Sequence, residues 1–425
     1  MKKAVLTSIF IASLSAAHAQ AVLDTVSMGA QYANNVWYSL ENDEVGTQPV
    51  GNWEIALAAT SSQTSSLTTA LHINSKVVKL YEAAGVPVAD FSTVTTFDNT
   101  WTELYNTDTT WSIGAFNTTT PMNQFDYGWG SYNTTTHNVE ANRVFVLEYV
   151  GTTPTYRKMY VTLNTMAGTY TLVHANLDNS DMHTETLDFS PYTDKNFFYF
   201  TLTGNAIVDR EPETDNWDLL FTQYAAYIPT PYFPVTGILH NVDVEVIKAQ
   251  QVADVTTFVN YGAHTFDYKI NGIGYNWKTL NNQTFTYNIE DSTVYFVKVA
   301  NGDIWKMIMT GFGGSSNGSS MFSKEKLLTA SVHTVQGASE SSLAVYPNPS
   351  TAATAQIVYH LGSNNRSVVL SVLDVTGKVV ATAALDNTKG LHQQAIPGAD
   401  RLLPGMYLVH VSTDKGSMQQ KLIIQ

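Results

Sequence analysis

The side chains of this chain that could donate nitrogen or sulfur to a transition metal are histidines and methionines, because cysteine is absent. An imidazole nitrogen or a thioether sulfur can donate a lone pair to a metal held in an apolar cleft. His264, His240, His137 and Met122 are among these residues, and they lie in segments around the predicted strands. The lack of cysteine also excludes disulfides, thiol nucleophiles and thiolate metal sites.

The surroundings of each candidate also fit a simpler role. His240 ends an alternating apolar run at residues 238–240, which predicts a strand residue. His264 stands in a polar loop, and His137 stands in a threonine-rich one. Without a partner fixed by spacing, each histidine can equally serve packing or hydrogen bonding.

Signatures of common enzymes are missing from the sequence. It has no Gly-X-Ser-X-Gly elbow, no His-Glu-X-X-His pair and no phosphate-binding glycine-rich loop. Acids cluster at residues 209–211 and 213–215 without the spacing of a calcium loop, and we interpret them as a solvated loop. We therefore expect a protein that is not an enzyme and holds no dedicated metal site.

The composition indicates an all-β protein. The chain has 425 residues, of which 12% are aromatic and only 14% charged, with a net charge of -14. Aromatic and β-branched residues favour strands, and helical periodicity is hard to find. A nucleic-acid partner is excluded, because basic clusters to neutralise phosphates are missing.

An internal repeat sets the expected domain organisation. The segments WYSL at 37–40 and GNWEIAL at 51–57 return as YFTL at 199–202 and DNWDLLF at 215–221. Two later strands also recur, with different loop lengths between them. We predict two homologous antiparallel β units, residues 20–190 and 191–330, with Trp53 and Trp217 buried at equivalent positions. One fused sheet is the alternative.

The repeated region resembles the HmuY-like family of haem-binding surface proteins. The similar pieces are GTYTLVHANLD at 168–178, NWDLLF at 216–221 and VYFVKVANGDIWKMIMTGF at 294–312. The resemblance implies an all-β fold, no catalysis, and haem or haem proteins as candidate partners. It also implies axial iron ligands from loops, for which His264 and His240 are the first choice and His137 and Met122 the second. The alternative is a structural or adhesive surface protein that keeps the fold without haem.

The last eighty or so residues resemble the type A sorting domain of the bacterial type IX secretion system. Three motifs carry the resemblance: YPNP at 346–349, VLDVTGKVV at 372–380 and LPGMYLVHV at 403–411, followed by a KLIIQ end. The residues concerned are Tyr346, Pro347, Asn348, Pro349, Gly377, Pro404, Gly405 and Lys421. Turns between short alternating runs predict a small immunoglobulin-like β-sandwich at 343–425. The resemblance implies export by the type IX machinery, cleavage of this domain, and attachment to or release from the cell surface.

The N-terminal residues read as a removable signal peptide. Lys2 and Lys3 precede an apolar run, and an Ala-X-Ala pattern ends before a cut between residues 19 and 20. The run is shorter than the roughly 20 residues of a membrane-spanning helix, and we expect no transmembrane segment elsewhere. A polar stretch at 331–342 is the predicted linker to the sorting domain.

Overall fold

The computed structural model describes residues 21–59, 67, 69–228, 232–328, 342–346, 348, 350, 355–374 and 378–424. The predicted signal peptide (1–19) and nearly all of the predicted linker (331–342) lie outside these residues. Within them the protein is all-β with antiparallel sheets, as the composition predicts. The chain packs as two compact units that divide after Leu328.

The strands of the first unit fall into two series of similar order. The first series comprises β1 (Val22–Ser27), β2 (Asn34–Ser39), β3 (Asp43–Pro49), β4 (Ile55–Ala58), β5 (Leu71–Ile73), β6 (Val78–Glu82), β7 (Glu103–Leu104), β8 (Gly130–Tyr132), β9 (Asn138–Ala141), β10 (Phe145–Tyr149), β11 (Tyr156–Asn164) and β12 (Thr169–Asn176). The second comprises β13 (His183–Asp188), β14 (Phe197–Thr201), β15 (Ala206–Val208), β16 (Leu219–Tyr227), β17 (Tyr232–His240), β18 (Glu245–Ala249), β19 (Lys278–Asn281), β20 (Thr286–Ile289), β21 (Val294–Lys298), β22 (Ile304–Phe312) and β23 (Ser319–Leu328).

Helical structure in the described residues consists of short 3₁₀ turns in the connections. They are Ala30–Tyr32, Val88–Thr93, Ala115–Thr118, Ser190–Tyr192, Thr214–Asn216, Tyr261–Ala263, Gly314–Ser316 and Ala399–Arg401. No helix of the described residues is long and apolar enough to cross a membrane.

The two series of strands build equivalent pairs of sheets. The orders β15-β14-β4-β5 and β3-β2-β16-β17 match strand for strand, as do β13-β12-β11-β10-β6 and β1-β23-β22-β21-β18. The registers match too, because Ala56 of β4 pairs with Tyr199 and His72, while Leu220 of β16 pairs with Trp37 and Leu239. The repeat seen in the sequence is therefore a repeat of structure.

Each repeat gives its first three strands to the sheets of the other. Strands β13–β15 pair with β12 and β4, whereas β1–β3 pair with β23 and β16. Two lobes result: lobe 1 (residues 50–210, β4–β15) is continuous, and lobe 2 combines residues 22–49 with 211–328. The predicted division at 190/191 leaves β13 of the second repeat with the first repeat. It does not separate two packing units either, because strands from both sides of it share three sheets.

Buried acids fasten the exchanged strands at equivalent places. In lobe 1, Glu54 Oε2 accepts a hydrogen bond from the backbone N–H of Leu202 at 2.9 Å. In lobe 2, Asp218 Oδ2 accepts one from Leu40 at 2.7 Å. Each acid follows the repeated tryptophan, so the pattern Trp-acid marks the strand that receives its partner from the other repeat.

Both lobes have a core between their two sheets, and the lobes meet through the outer faces of the four-stranded sheets. Alternate residues of β4 show this, since Ile55 and Leu57 join the core of lobe 1 while Ala56 and Ala58 pack with Trp53 towards lobe 2. Strands in the middle of this stack are buried on both faces, which explains their continuous apolar runs. Trp53 and Trp217 are both buried, as the sequence predicts.

The second unit is a small β-sandwich. Its strands are β24 (Ser342–Tyr346), β25 (Gln356–Leu361), β26 (Val368–Asp374), β27 (Val379–Ala384), β28 (Gly390–Ala395), β29 (Gly405–Thr413) and β30 (Gly416–Ile424). Sheets of order β24-β25-β28 and β27-β26-β29-β30 enclose one apolar core, which includes Ile357, Val372 and Leu422.

Candidate functional site

His240, a first-choice ligand from the sequence, is a buried strand residue. Its Nε2 lies 2.7 Å from the carbonyl oxygen of Lys269, and its Nδ1 lies 3.1 Å from that of Asn241. Burial lowers its pKa. Both ring nitrogens therefore face backbone oxygens instead of an open cleft, which does not suit an iron ligand.

The other three candidates lie at the surface. His264 is exposed in a loop with its ring centroid 6.3 Å from that of Phe258. His137 is exposed at a turn with a positive φ of 60°, and its Nδ1 lies 2.7 Å from the hydroxyl of Tyr132. Met122 has 65% of its surface exposed.

The structure does not bring these four residues together. His137 and Met122 belong to lobe 1, whereas His240 and His264 belong to lobe 2. Among the described residues, no hydrogen bond or ring contact joins any two of them, and no group of three or more His, Asp or Glu could hold a metal ion. The ligand assignment made from the sequence gains no support from this geometry.

A cavity of about 80 Å³ lies between the two lobes. Its apolar floor comes from the facing sheets, at Trp53 and Ala56 of lobe 1 and at Leu220 and Leu239 of lobe 2. Because Ala56 and Leu220 hold equivalent positions in the two repeats, the cavity is formed by the junction of the repeats.

Trp111 closes the cavity on one side from a long loop of lobe 1. Its indole Nε1 donates to the carbonyl of His240 at 2.8 Å, and its own carbonyl lies 2.7 Å from Nε2 of His72. Burial lowers the pKa of His72 to about 4, so this imidazole is neutral at pH 7. The loop is thus tied to both lobes at the site.

Polar side chains form the opposite wall. Thr222 Oγ1 donates to Asn35 Oδ1 at 3.2 Å across β16 and β2. Asp108 lines the wall from the loop that carries Trp111, and its Oδ2 accepts from the backbone N–H of Tyr227 at 3.2 Å. Amides, hydroxyls and one carboxylate therefore face the aromatic floor.

An arginine beneath the floor holds the aromatic rings in place. The guanidinium of Arg210 lies 5.2–5.4 Å from the ring centroids of Trp37, Trp53 and Tyr199, and its Nη2 donates to the carbonyl of Pro49 at 3.1 Å. Cation–π contacts of this kind are strongest when they are shielded from water. Burial lowers the pKa of Arg210 to about 10, so the group stays charged at pH 7.

Glu211, the next residue, is also buried. Its carboxylate accepts from the hydroxyl of Tyr199 at 2.5 Å and from the backbone N–H of Asn196 at 3.1 Å. Burial raises the pKa of Glu211 to about 7. The interpretation of residues 209–211 as a solvated loop is therefore wrong for Arg210 and Glu211, which lie between the lobes.

Aromatic rings mark the surface beside the cavity. Tyr105 stacks on Tyr232 at a centroid distance of 4.3 Å, and Tyr227 meets Tyr232 edge-on at 5.3 Å. Tyr227 is 60% exposed, although its backbone is bonded to Asp108. Sequence reasoning missed these residues, since single tyrosines in a tyrosine-rich chain give no signal.

In the C-terminal unit, the motif residues that the structure describes hold one edge of the sandwich. Asn348 Nδ2 donates to the carbonyl of Lys421 at 2.7 Å, and its Oδ1 accepts from the N–H of Ile423 at 2.9 Å. Tyr346 ends β24, while Pro404 directly precedes β29, which begins at Gly405. Pro347, Pro349 and Gly377 lie outside the described residues.

Comparison with known proteins gives one family match. The profile of the secretion system C-terminal sorting domain matches residues 344–425. No curated protein matches the chain. A solved structure, the dimeric latent PorU from Porphyromonas gingivalis, is similar at 10% identity and a TM-score of 0.17; the match covers 84% of this chain but only 31% of PorU. So low a TM-score carries no argument about fold or function.

The sorting domain found by this match accounts for the three motifs, the apolar C-terminal strand and the separate sandwich. Such a domain implies secretion by the type IX system and a cell-surface or extracellular location. Residues 344–425 of this protein are a type IX secretion C-terminal sorting domain.

Proposed function

We propose that the protein is an exported, non-catalytic surface protein whose residues 21–328 act as a rigid binding module. The observation that carries the proposal is the pairing of a sorting domain with a separately packed β unit. The signal peptide expected at residues 1–19 would deliver the chain to the periplasm first. After export, the sorting domain would be removed and the module would stay attached to the surface or be released.

The lining of the cavity does not provide the groups that hydrolysis needs. Hydrolysis of a glycoside needs two carboxyl groups at a fixed separation. Among the described residues, Asp108 is the one carboxylate that lines the cavity, and Glu211 is engaged by Tyr199 below the floor. No thiol is present in the chain to act as a nucleophile. Binding is the function that this site supports best.

Removal of the sorting domain tests the export part of the proposal. A chain that ends at Leu328 should fold and remain in the periplasm, because its core is separate from that of the sorting domain. Protease treatment and antibody labelling of intact cells would measure display. Surface display of the shortened chain at the level of the full chain would contradict the proposal.

Haem binding is the second candidate and rests on the resemblance at residues 168–178, 216–221 and 294–312. The most accessible ligand for it is His264, in an open depression beside Phe258 and Val259. Titration of the purified protein with haemin tests it, with a sharp Soret band at stoichiometric haemin as the expected sign. His264→Ala should remove that band, whereas His240→Ala is the matched control at a histidine whose nitrogens are already engaged.

A further inference from the structure

The charges that line the cavity between the lobes disfavour an anionic ligand. No lysine or arginine is among the described residues that line it, and Asp108 contributes a carboxylate. His72, the other group that could carry positive charge, is neutral at pH 7. A phosphate or carboxylate ligand would therefore meet the like charge of Asp108, while the guanidinium of Arg210 lies beneath the floor, against the rings of Trp53 and Tyr199.

The lining is also divided by polarity. Flat aromatic rings of Trp53, Trp111 and Tyr199 form one side, and Asn35 and Thr222 form the other. Rings pack against C–H surfaces, while amides and hydroxyls both donate and accept hydrogen bonds. A ligand that satisfies both sides has an apolar face and a rim of hydroxyl groups.

The size of the cavity limits the ligand further. One water needs roughly 10–15 Å³ of such space, so about 80 Å³ accepts several water-sized groups. A haem macrocycle, with its two carboxylates, is too large and carries the wrong charge. A single sugar ring matches the size, the two-sided polarity and the neutral charge.

We infer that the cavity between the lobes binds one neutral hexose ring, either a free sugar or the terminal residue of a glycan. This inference deepens the proposed binding function and rests on it. The stacked Tyr105 and Tyr232, with the exposed Tyr227 beside Asp108, provide a surface on which further residues of a glycan can lie. Aromatic rings held at a fixed spacing suit successive sugar rings.

Titration of the full purified chain tests the inference. Glucose, galactose, mannose and N-acetylglucosamine would be added up to roughly 50 mM, well above a Kd on the order of 1 mM, with heat and tryptophan fluorescence as readouts. At least one should bind and change the emission of Trp53 and Trp111. The corresponding uronic acid should bind at least tenfold more weakly because of Asp108. An oligosaccharide ending in the same sugar distinguishes the sources: tighter binding identifies a glycan end, and equal binding a free sugar.

Substitutions in the polar wall of the cavity test whether a sugar binds there or elsewhere on the protein. Thr222→Val keeps the side-chain size but removes the hydroxyl, which donates to Asn35 Oδ1 at 3.2 Å, and should weaken binding about fivefold or more. Thr284→Val, in an exposed loop, is the matched control. Thr222→Trp fills the cavity from the same wall and should abolish binding, with Ala253→Trp at the surface as control.

Two results would overturn the inference. One is the absence of heat and fluorescence change with all four sugars for a protein that melts cooperatively. The other is a sugar affinity that Thr222→Val and Thr222→Trp both leave unchanged. Either result leaves export by the sorting domain untouched, so failure of this inference is distinguishable from failure of the proposed export.

Discussion

The exchange of strands between the repeats predicts which pieces of the chain fold alone. The perturbation is a pair of fragments of similar length, residues 50–210 and residues 21–190. The first contains every strand of lobe 1. The second is the predicted first β unit, but it lacks β14, which pairs with β4, and β15, which pairs with β14.

The cost to the second fragment follows from the side chains that it loses. These are five buried residues of the exchanged segment: Phe197, Phe198, Tyr199, Phe200 and Leu202. Burial of each large apolar side chain contributes roughly 1.5–3 kcal/mol, so the loss is about 8–15 kcal/mol. That equals the whole stability of a typical domain, about 5–15 kcal/mol. We therefore expect residues 50–210 to melt cooperatively as a monomer and residues 21–190 to be unfolded or to dimerise through β1–β3.

Thermal melting followed by circular dichroism tests whether each fragment unfolds cooperatively, and gel filtration tests whether it is a monomer or a dimer. Mixing residues 21–190 with residues 191–328 should restore a cooperative transition, because each piece then finds its exchanged strands. A cooperatively folded monomer of residues 21–190 alone would refute the exchanged pairing. So would a fragment 50–210 without a melting transition.

Three further predictions concern buried side chains between and within the lobes. Folding raises the pKa of Glu211 from 4.5 to about 7, so the folded state favours the protonated carboxyl. The free energy of unfolding should therefore be highest below pH 4.5 and fall by roughly 3 kcal/mol as the pH rises to 7. Glu211→Gln should flatten that pH dependence in denaturant titrations, and an unchanged slope would contradict the assignment. Glu54→Ala should cost about 1–3 kcal/mol by leaving the N–H of Leu202 unpaired, and Asp218→Ala should cost a similar amount in lobe 2; a neutral result for both in thermal melts would show that the acids do not fasten the strands. Trp217→Ala should cost about 3–5 kcal/mol, whereas an unchanged melting temperature with loss of a ligand would show that this tryptophan contacts ligand.

Some features of the fold could be predicted from the sequence because they are local. The pattern Trp-acid-apolar at 53–57 and 217–221 identifies both repeats, and short alternating runs identify the sorting sandwich. The exchange of strands could not be predicted from the sequence. Because the two repeats have similar strand patterns, the pattern of β2 fits pairing with β4 as well as pairing with β16. Pairing is decided by connection lengths in three dimensions, which local patterns do not report.

In the candidate site, too, local features could be predicted from the sequence, whereas contacts between distant residues could not. His240 was correctly predicted as a strand residue, but its engaged nitrogens depend on the carbonyls of Lys269 and Asn241 in the folded chain. Arg210 and Glu211 look like surface residues because charged side chains are rarely buried. Their burial depends on rings contributed by both repeats, and no run of neighbouring residues carries that information.

The pairing of Val22 with Lys324 has a consequence for the order of events during biosynthesis. Synthesis begins at the N-terminus, so β1–β3 are made first. Strands β1 and β2 then lack their later partners, β23 and β16, until residues 219–328 exist. Lobe 1 needs nothing beyond residue 210 and can be complete by then. Once it is, the contact between Arg210 and Pro49 brings the two ends of the lobe together. The long connection between β3 and β16 is thereby shortened, and the entropy of closing it no longer opposes the late pairing. Pairing of β1 and β2 with their distant partners would otherwise be slow because of its high contact order. With lobe 1 already folded, this last folding step closes only a short connection.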